Sequence, residues 1–163
     1  MRVGFGYDSH VFDEGRPLYL GGVLIPGAPG LRGHSDADVL VHALVDALYG
    51  AAALGDIGSH FPESDPRWAD ADSLLFLRAA VAEVRAAAYV VGNMDATVIC
   101  ERPKLRPHVD AIRARLAEEL GVDVSGVSVK GKTNEGMDAV GEGKGIAVHC
   151  VALLAFAESN ERL

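Results

Sequence analysis

The sequence predicts an α/β sandwich in which one mixed or antiparallel sheet is covered by helices. The chain opens on residues that alternate as a strand does and closes on two further strand-like runs, and between them lie three helical segments around one more strand. At 163 residues and 49% hydrophobic it can fill one well-formed core, so a single domain over 1-163 is expected.

"RVGFGYD" alternates as the first strand, and "LYLGGVLI" reads as two short strands turning at Gly21-Gly22, a two-residue hairpin signal. "PGAPGLRG", Pro26 to Gly33, reads as loop because two Pro and four Gly resist a regular element. Ser35 or Asp36 is the expected N-cap of a first helix, "ADVLVHALVDALYGAAAL", with an acidic first turn. "GDIGSHFPESDPRWADAD" is a long loop, and its length inside a compact domain marks it as functional or mobile. Asp72 or Ser73 starts a second helix reaching about Ala88, and Tyr89 to Cys100 follows as a strand. "PHVDAIRARLAEELG" is the third helix, with Pro107 near its first turn and Gly121 as its stop. "VSVKGKT" and "GIAVHCVALLAF" complete the sheet on either side of a loop from Asn134 to Gly143.

Composition narrows the function. A formal charge of −8 argues against a protein that binds nucleic-acid phosphates, and if phosphates are bound here, metals must help. No apolar run approaches a membrane span, and Met1-Arg2 leads directly into a strand without a signal or transit segment, so a cytoplasmic protein without a membrane partner is expected. Cys100 and Cys150 lie in apolar strand-like runs, where reduced, buried thiols are expected.

The chemistry concentrates in two places. Asp8 and His10 are two apart in a strand and therefore share a face, either as a solvated strand end or as part of a metal or acid/base site. On the first helix, Ala37, Val39, Leu40, Val41, Ala43, Leu44, Val45, Ala47 and Leu48 are apolar around most of the circumference, and Asp38, His42 and Asp46 form one polar stripe at a spacing of four. A core histidine held by two aspartates is one account of that stripe. The other adds His42 to Asp8 and His10 as a carboxylate and two imidazoles suited to zinc with a fourth position open, Asp38 and Asp46 orienting an imidazole from behind. His34 and Ser35, at the helix N-terminus, suit an anion such as phosphate.

"GYDSH", "GHSDADVLVHALVDALYGAAALGDIG", "FPESDP", "ERPKLRPH" and "KGKTNEGM" occur in one order over nearly the whole chain. With these motifs the sequence closely resembles the 2-C-methyl-D-erythritol 2,4-cyclodiphosphate synthase family of the non-mevalonate isoprenoid pathway. The resemblance implies a ferredoxin-like or chorismate-mutase-like subunit of a homotrimer with active sites between neighbours. Its implied reaction converts 4-diphosphocytidyl-2-C-methyl-D-erythritol 2-phosphate to the cyclic diphosphate and CMP. It implies zinc on Asp8, His10 and His42, and a second divalent ion, magnesium or manganese, on Glu135. Catalytic roles are implied for His34, Thr133 and Asp56. The implied substrate contacts are Asp8, His10, His34 and Ser35; Asp56, Ile57 and Gly58; Phe61, Pro62, Glu63, Ser64 and Asp65; Cys100, Glu101, Arg102, Pro103, Lys104, Leu105 and Arg106 around the cytidine; and Lys132, Thr133, Asn134 and Glu135.

The chain departs from the family pattern at Ala139 and Glu142, where an aromatic residue and an arginine often face the trimer axis, and at Glu63, where others carry Asp. Glu142 and Lys144, two apart, are expected to form an ion pair between subunits in reversed order. His60, His108 and His149 fall outside the implied site, and His108 and His149 read as structural. Two rival functions are a zinc phosphohydrolase, which would place water on phosphorus, and a non-catalytic trimeric nucleotide- or metal-binding module, which would bind without turnover.

Overall fold

The computed structural model describes residues 1–157. It is a five-stranded mixed sheet in the order β2-β1-β5-β3-β4, formed by β1 (Arg2–Leu20), β2 (Val23–Leu31), β3 (Tyr89–Ile99), β4 (Val127–Lys132) and β5 (Gly145–Phe156). β1 runs antiparallel to β2 and β5, β5 antiparallel to β3, and only β3 and β4 are parallel. Three longer helices, α1 (Val39–Ala52), α3 (Leu74–Ala86) and α4 (Val109–Leu120), cover one face, and two single-turn helices, α2 (Ile57–His60) and α5 (Asp138–Gly141), interrupt the connecting loops.

α1 lies directly on β1. Gly4, Gly6, Asp8 and His10 alternate onto the helix-facing side, and a Cβ on Gly4 or Gly6 would stand 1.9 Å from the carbonyl oxygen of Ala47 or Ala43 respectively. Glycine in the strand and alanine in the helix thus permit an approach that any larger residue would prevent. The consequence is positional: His42, next to Ala43, is carried to the stretch of β1 that bears Asp8 and His10, midway along the strand. Apart from His42, Asp46 and Gly50, every residue of α1 from Val39 to Ala52 is buried.

The structure corrects three details of the sequence reading. Pro26 to Gly33 is largely strand, since β2 continues to Leu31 and pairs Leu31 with Phe12; register shifts on either side of Pro17, and the position of β2 at the sheet edge, accommodate its prolines. The N-cap of α1 is Asp38, whose carboxylate accepts from Val41 N–H at 3.1 Å, because Ser35 and Asp36 are engaged elsewhere. The first turn of α1 accordingly holds no acidic residue. Gly21 and Gly22, at φ 61° and 73°, make the expected hairpin turn, and α4 ends at Gly121 with φ 70°. Cys100 and Cys150 are buried free thiols, the latter pushed up to about 12 by burial.

Among the described residues, no helix covers the opposite face of the sheet. Val3, Phe5, Tyr7 and Val151 are 40–68% exposed there, with His149 tilted against the rings of Phe5 and Tyr7. No helix among the described residues is long and apolar enough to cross a membrane.

Candidate active site

Asp8, His10 and His42 converge on one point. Asp8 Oδ2 is 3.0 Å from His10 Nε2 and 3.1 Å from His42 Nδ1, and the two ring nitrogens are 3.4 Å apart. One carboxylate and two imidazoles so gathered can hold a metal ion. Burial alone would raise the Asp8 carboxyl, but hydrogen bonds from both imidazoles hold it well below the usual carboxylate range. For His10, burial works toward a lower pKa, and the Asp8 carboxylate and the Arg32 carbonyl overcome it and raise the imidazole. The cluster therefore attracts positive charge, as protons or as a metal.

Each imidazole is held from behind. His10 Nδ1 faces the Arg32 carbonyl at 2.6 Å, which leaves Nε2 turned toward Asp8. His42 Nε2 lies 2.8 Å from Ser73 Oγ and 3.2 Å from Ser35 Oγ, which leaves Nδ1 for the convergence point.

Asp38 and Asp46 do not provide that support, although both share the stripe with His42. Asp38, fully buried, accepts from the backbone N–H groups of Gly21 at 2.9 Å and Gly22 at 2.7 Å as well as from Val41, tying the hairpin to the start of α1. Asp46 accepts from Ile57 N–H at 2.8 Å and anchors α2. Buried backbone donors outcompete the imidazole for these carboxylates.

A cleft of about 170 Å³ opens over the cluster, lined by Asp8, His10, His42, His34, Ser35, Asp46, Ile57, Gly58, Phe61 and Glu63 together with Trp68 and Phe76. Phe61 stacks on Phe76 at 4.5 Å, and Trp68 stands edge-on to both, so one wall is aromatic. Asp56 caps α2 through Ser59 N–H and Oγ, which lower its pKa, and Pro62, Ser64 and Asp65 continue the loop with Asp65 paired to Arg67. Arg16 donates to the carbonyls of Gly33 and Ser35 on either side of His34, whose Nε2 is 3.3 Å from the Asp65 carbonyl. Trp68, Phe76 and Arg16 were not singled out by the sequence reading, and Ser73 was named there only as a candidate start of the second helix. Only Trp68, the lone tryptophan inside a loop marked as functional, carried a signal.

The remaining expected residues form a second cluster. Lys104, Leu105, Arg106 and Thr133 line one cavity, and Arg102, Pro103 and Lys104 face Gly27, Ala28 and Pro29 of β2 in another. Cys100 N–H bonds to the Lys132 carbonyl, Glu101 accepts from Asn134 N–H at 2.8 Å, and Thr133 donates to Glu135 at 2.6 Å, so the 100–106 and 132–135 segments form one unit. This unit and the metal cluster sit at the same end of the sheet, since Lys132 pairs with Ile99, Ile99 with Ala147, and His10 with the adjacent Ile146. Three strand spacings, about 14 Å, nevertheless separate β1 from β4. The cleft over the metal cluster has no lining residue in common with either cavity of the second cluster. Glu142 and Lys144 pair with each other within the chain.

The YgbB family model matches residues 1–155. The chain belongs to the YgbB family. YgbB relatives named 2-C-methyl-D-erythritol 2,4-cyclodiphosphate synthase include proteins from Salinibacter ruber, 55% identical over 96% of this chain and 100% of its own, and from Moorella thermoacetica, 53% identical over 100% of both. A CDP-bound 2C-methyl-D-erythritol-2,4-cyclodiphosphate synthase superposes with a TM-score of 0.87 at 40% identity, covering 94% of this chain and 100% of that one. The bifunctional IspDF from Campylobacter jejuni superposes with a TM-score of 0.93 at 38% identity over 96% of this chain, which spans 42% of that longer protein. The mixed sheet with its helical cover is thus the fold of this family's solved structures.

Proposed function

We propose that this YgbB-family chain, as one synthase domain over residues 1–163, converts 4-diphosphocytidyl-2-C-methyl-D-erythritol 2-phosphate to 2-C-methyl-D-erythritol 2,4-cyclodiphosphate and CMP. The observation that carries this reading is the convergence of Asp8, His10 and His42 beneath a cleft bordered by His34 and Ser35. Tetrahedral ligands about 2.0–2.1 Å from zinc stand about 3.3 Å apart, and separations of 3.0, 3.1 and 3.4 Å fit that ion. Zinc at this triad and magnesium or manganese at Glu135, when bound, supply the positive charge that a protein of net charge −8 needs to accept a polyanion.

The reaction is an internal displacement. An oxygen of the 2-phosphate bonds to the β-phosphorus, the bond from that phosphorus to the bridging oxygen breaks, and CMP leaves with the bridging oxygen. No water enters, so the protein's task is to align two anions and exclude solvent. Asp8, His10 and His42 fix where the attacking phosphate is held, and His34 and Ser35 donate toward it. The aromatic wall of Phe61, Trp68 and Phe76 keeps water from the methylerythritol carbons, while Asp56, Ile57, Gly58 and residues Pro62, Glu63, Ser64 and Asp65 line its hydroxyls. Around the nucleotide, Cys100, Glu101, Arg102, Pro103 and Leu105 shape the cytidine site, and Lys104 and Arg106 offer charge to its phosphates. Lys132, Thr133 and Asn134 present the loop that carries Glu135; His34, and Thr133 once its hydroxyl turns from Glu135, donate to charge developing on the transferred phosphoryl group.

The active site is completed between chains of a cytoplasmic homotrimer. Two features favour this: the cleft over the metal cluster shares no lining residue with the cavities of the second cluster, and the exposed apolar face of Val3, Phe5, Tyr7 and Val151 is what an interface would cover.

A phosphorus NMR time course with substrate, zinc and magnesium tests the reaction. Stoichiometric CMP with a new cyclic diphosphate resonance is expected. An open phosphate carrying oxygen from labelled water would replace the reading with a phosphohydrolase, and bound nucleotide without turnover would replace it with a binding module.

A further inference from the structure

Ser73 and Asp36 are the side chains behind His42. Ser73 is fully buried at the start of α3, and its Oγ contacts His42 Nε2 at 2.8 Å and the Asp36 carboxylate at very close range. Asp36 also accepts from Ser73 N–H at 3.1 Å and Asp38 N–H at 3.1 Å, so both of its oxygens are fixed. Two backbone bonds, Asp36 N–H to the Ala71 carbonyl and Asp70 N–H to the His34 carbonyl, bring the 34–36 and 70–73 segments together.

We propose that Asp36 and Ser73 form a relay that sets the tautomer and ring orientation of His42 for metal binding; the proposal rests on the metal-site reading above. A carboxylate can only accept, so the Ser73 hydroxyl donates to Asp36 and turns its lone pairs to His42. Nε2 must then carry the ring proton and donate it to Ser73 Oγ, leaving Nδ1 as the bare ligand nitrogen facing Asp8. Ser35 Oγ, the second hydroxyl near Nε2 at 3.2 Å, lies farther away and accepts from Ala37 N–H, with Ser73 Oγ 3.4 Å away as a partner for its own proton. His10 obtains the same service from a backbone carbonyl. The relay to His42 is built from side chains and can be cut by substitution. Ser73 and Asp36 are positioning residues, since neither faces the convergence point.

The test is zinc affinity by chelator competition for wild type, Ser73→Ala, Asp36→Asn and the double variant, with thermal unfolding of each metal-free protein alongside. Partners of this kind typically change metal affinity about 10- to 100-fold, and a loss in that range is expected for each single variant. The double variant is expected to bind no more weakly than the worse single one, because both act through one chain of hydrogen bonds. Wild type without zinc affinity would sink the metal site itself; zinc-binding wild type with unchanged affinity in Ser73→Ala, or with fully additive losses, would sink the relay alone. Should Ser73→Ala fail to fold, nitrogen-15 histidine NMR of zinc-loaded wild type decides: a proton on His42 Nε2 is expected, and zinc on Nε2 overturns the proposal.

Discussion

Gly6 and Ala43 touch backbone to backbone: a Cβ on Gly6 would stand 1.9 Å from the Ala43 carbonyl oxygen. The separation of α1 from β1, and with it the distance from His42 to Asp8, is set by the absence of that carbon here and at Gly4. Gly6→Ala is therefore expected to push the helix outward, costing roughly 1–3 kcal/mol or more in stability and weakening metal binding together. Denaturant unfolding and metal titration of the same variant check this, and a variant as stable as wild type would show that α1 has slack.

Asp38 lies on the same helical stripe as His42 but serves the fold. Asp38→Ala removes an N-cap and leaves the Gly21 and Gly22 N–H groups without their acceptor, an expected loss of about 3 kcal/mol. Metal affinity of the folded fraction should stay within a few-fold of wild type. A large drop in affinity with little change in unfolding would return Asp38 to the role the sequence suggested.

Arg78 on α3 donates two bonds of 2.7 Å to Glu119 on α4, and this pairing holds the Glu119 carboxyl below its ordinary value. A depressed carboxyl stabilises the fold above its unfolded pKa, about 4.3, and that contribution is lost as pH falls through the lower folded value. Glu119→Gln should accordingly cost about 1–3 kcal/mol at pH 7 and progressively less below about pH 4.3. Melting curves from pH 7 to acid compare the two proteins; a difference that persists undiminished in acid would assign the effect to packing.

His42→Ala should abolish stoichiometric zinc and turnover while far-ultraviolet circular dichroism stays that of the wild type. Elemental analysis after dialysis measures the metal. Full zinc content in a folded variant would remove His42 from the ligand set.

Phe5 is 60% exposed on the uncovered sheet face. Phe5→Glu places a charge where the proposed assembly buries an aromatic ring, and light scattering is expected to find smaller species with reduced turnover and retained zinc. An unchanged mass would move the interface elsewhere on the surface.

The fold was readable because its strands alternate and its helices end on identifiable residues, Gly121 among them. Asp8 and His10 followed from the period of a strand, and the stripe of His42 from the period of a helix. What those periods could not decide is which partner a side chain takes. Asp38 and Asp46 point along the His42 stripe, yet backbone N–H groups of the hairpin and of α2 take their carboxylates. Ser73 lies 31 residues from the imidazole that it contacts, a separation that no local period encodes. Pro26 to Gly33 misled for a related reason: an edge strand needs only one paired side, so its prolines could be absorbed.

The division of the site residues between two separate cavities has a genetic consequence. If a site draws its metal half from one chain and its nucleotide half from the next, a polypeptide lacking His42 and another lacking Lys104 are each inactive alone. Co-expressed, they would assemble some interfaces in which both damaged halves lie elsewhere, and two null alleles of one gene would restore each other.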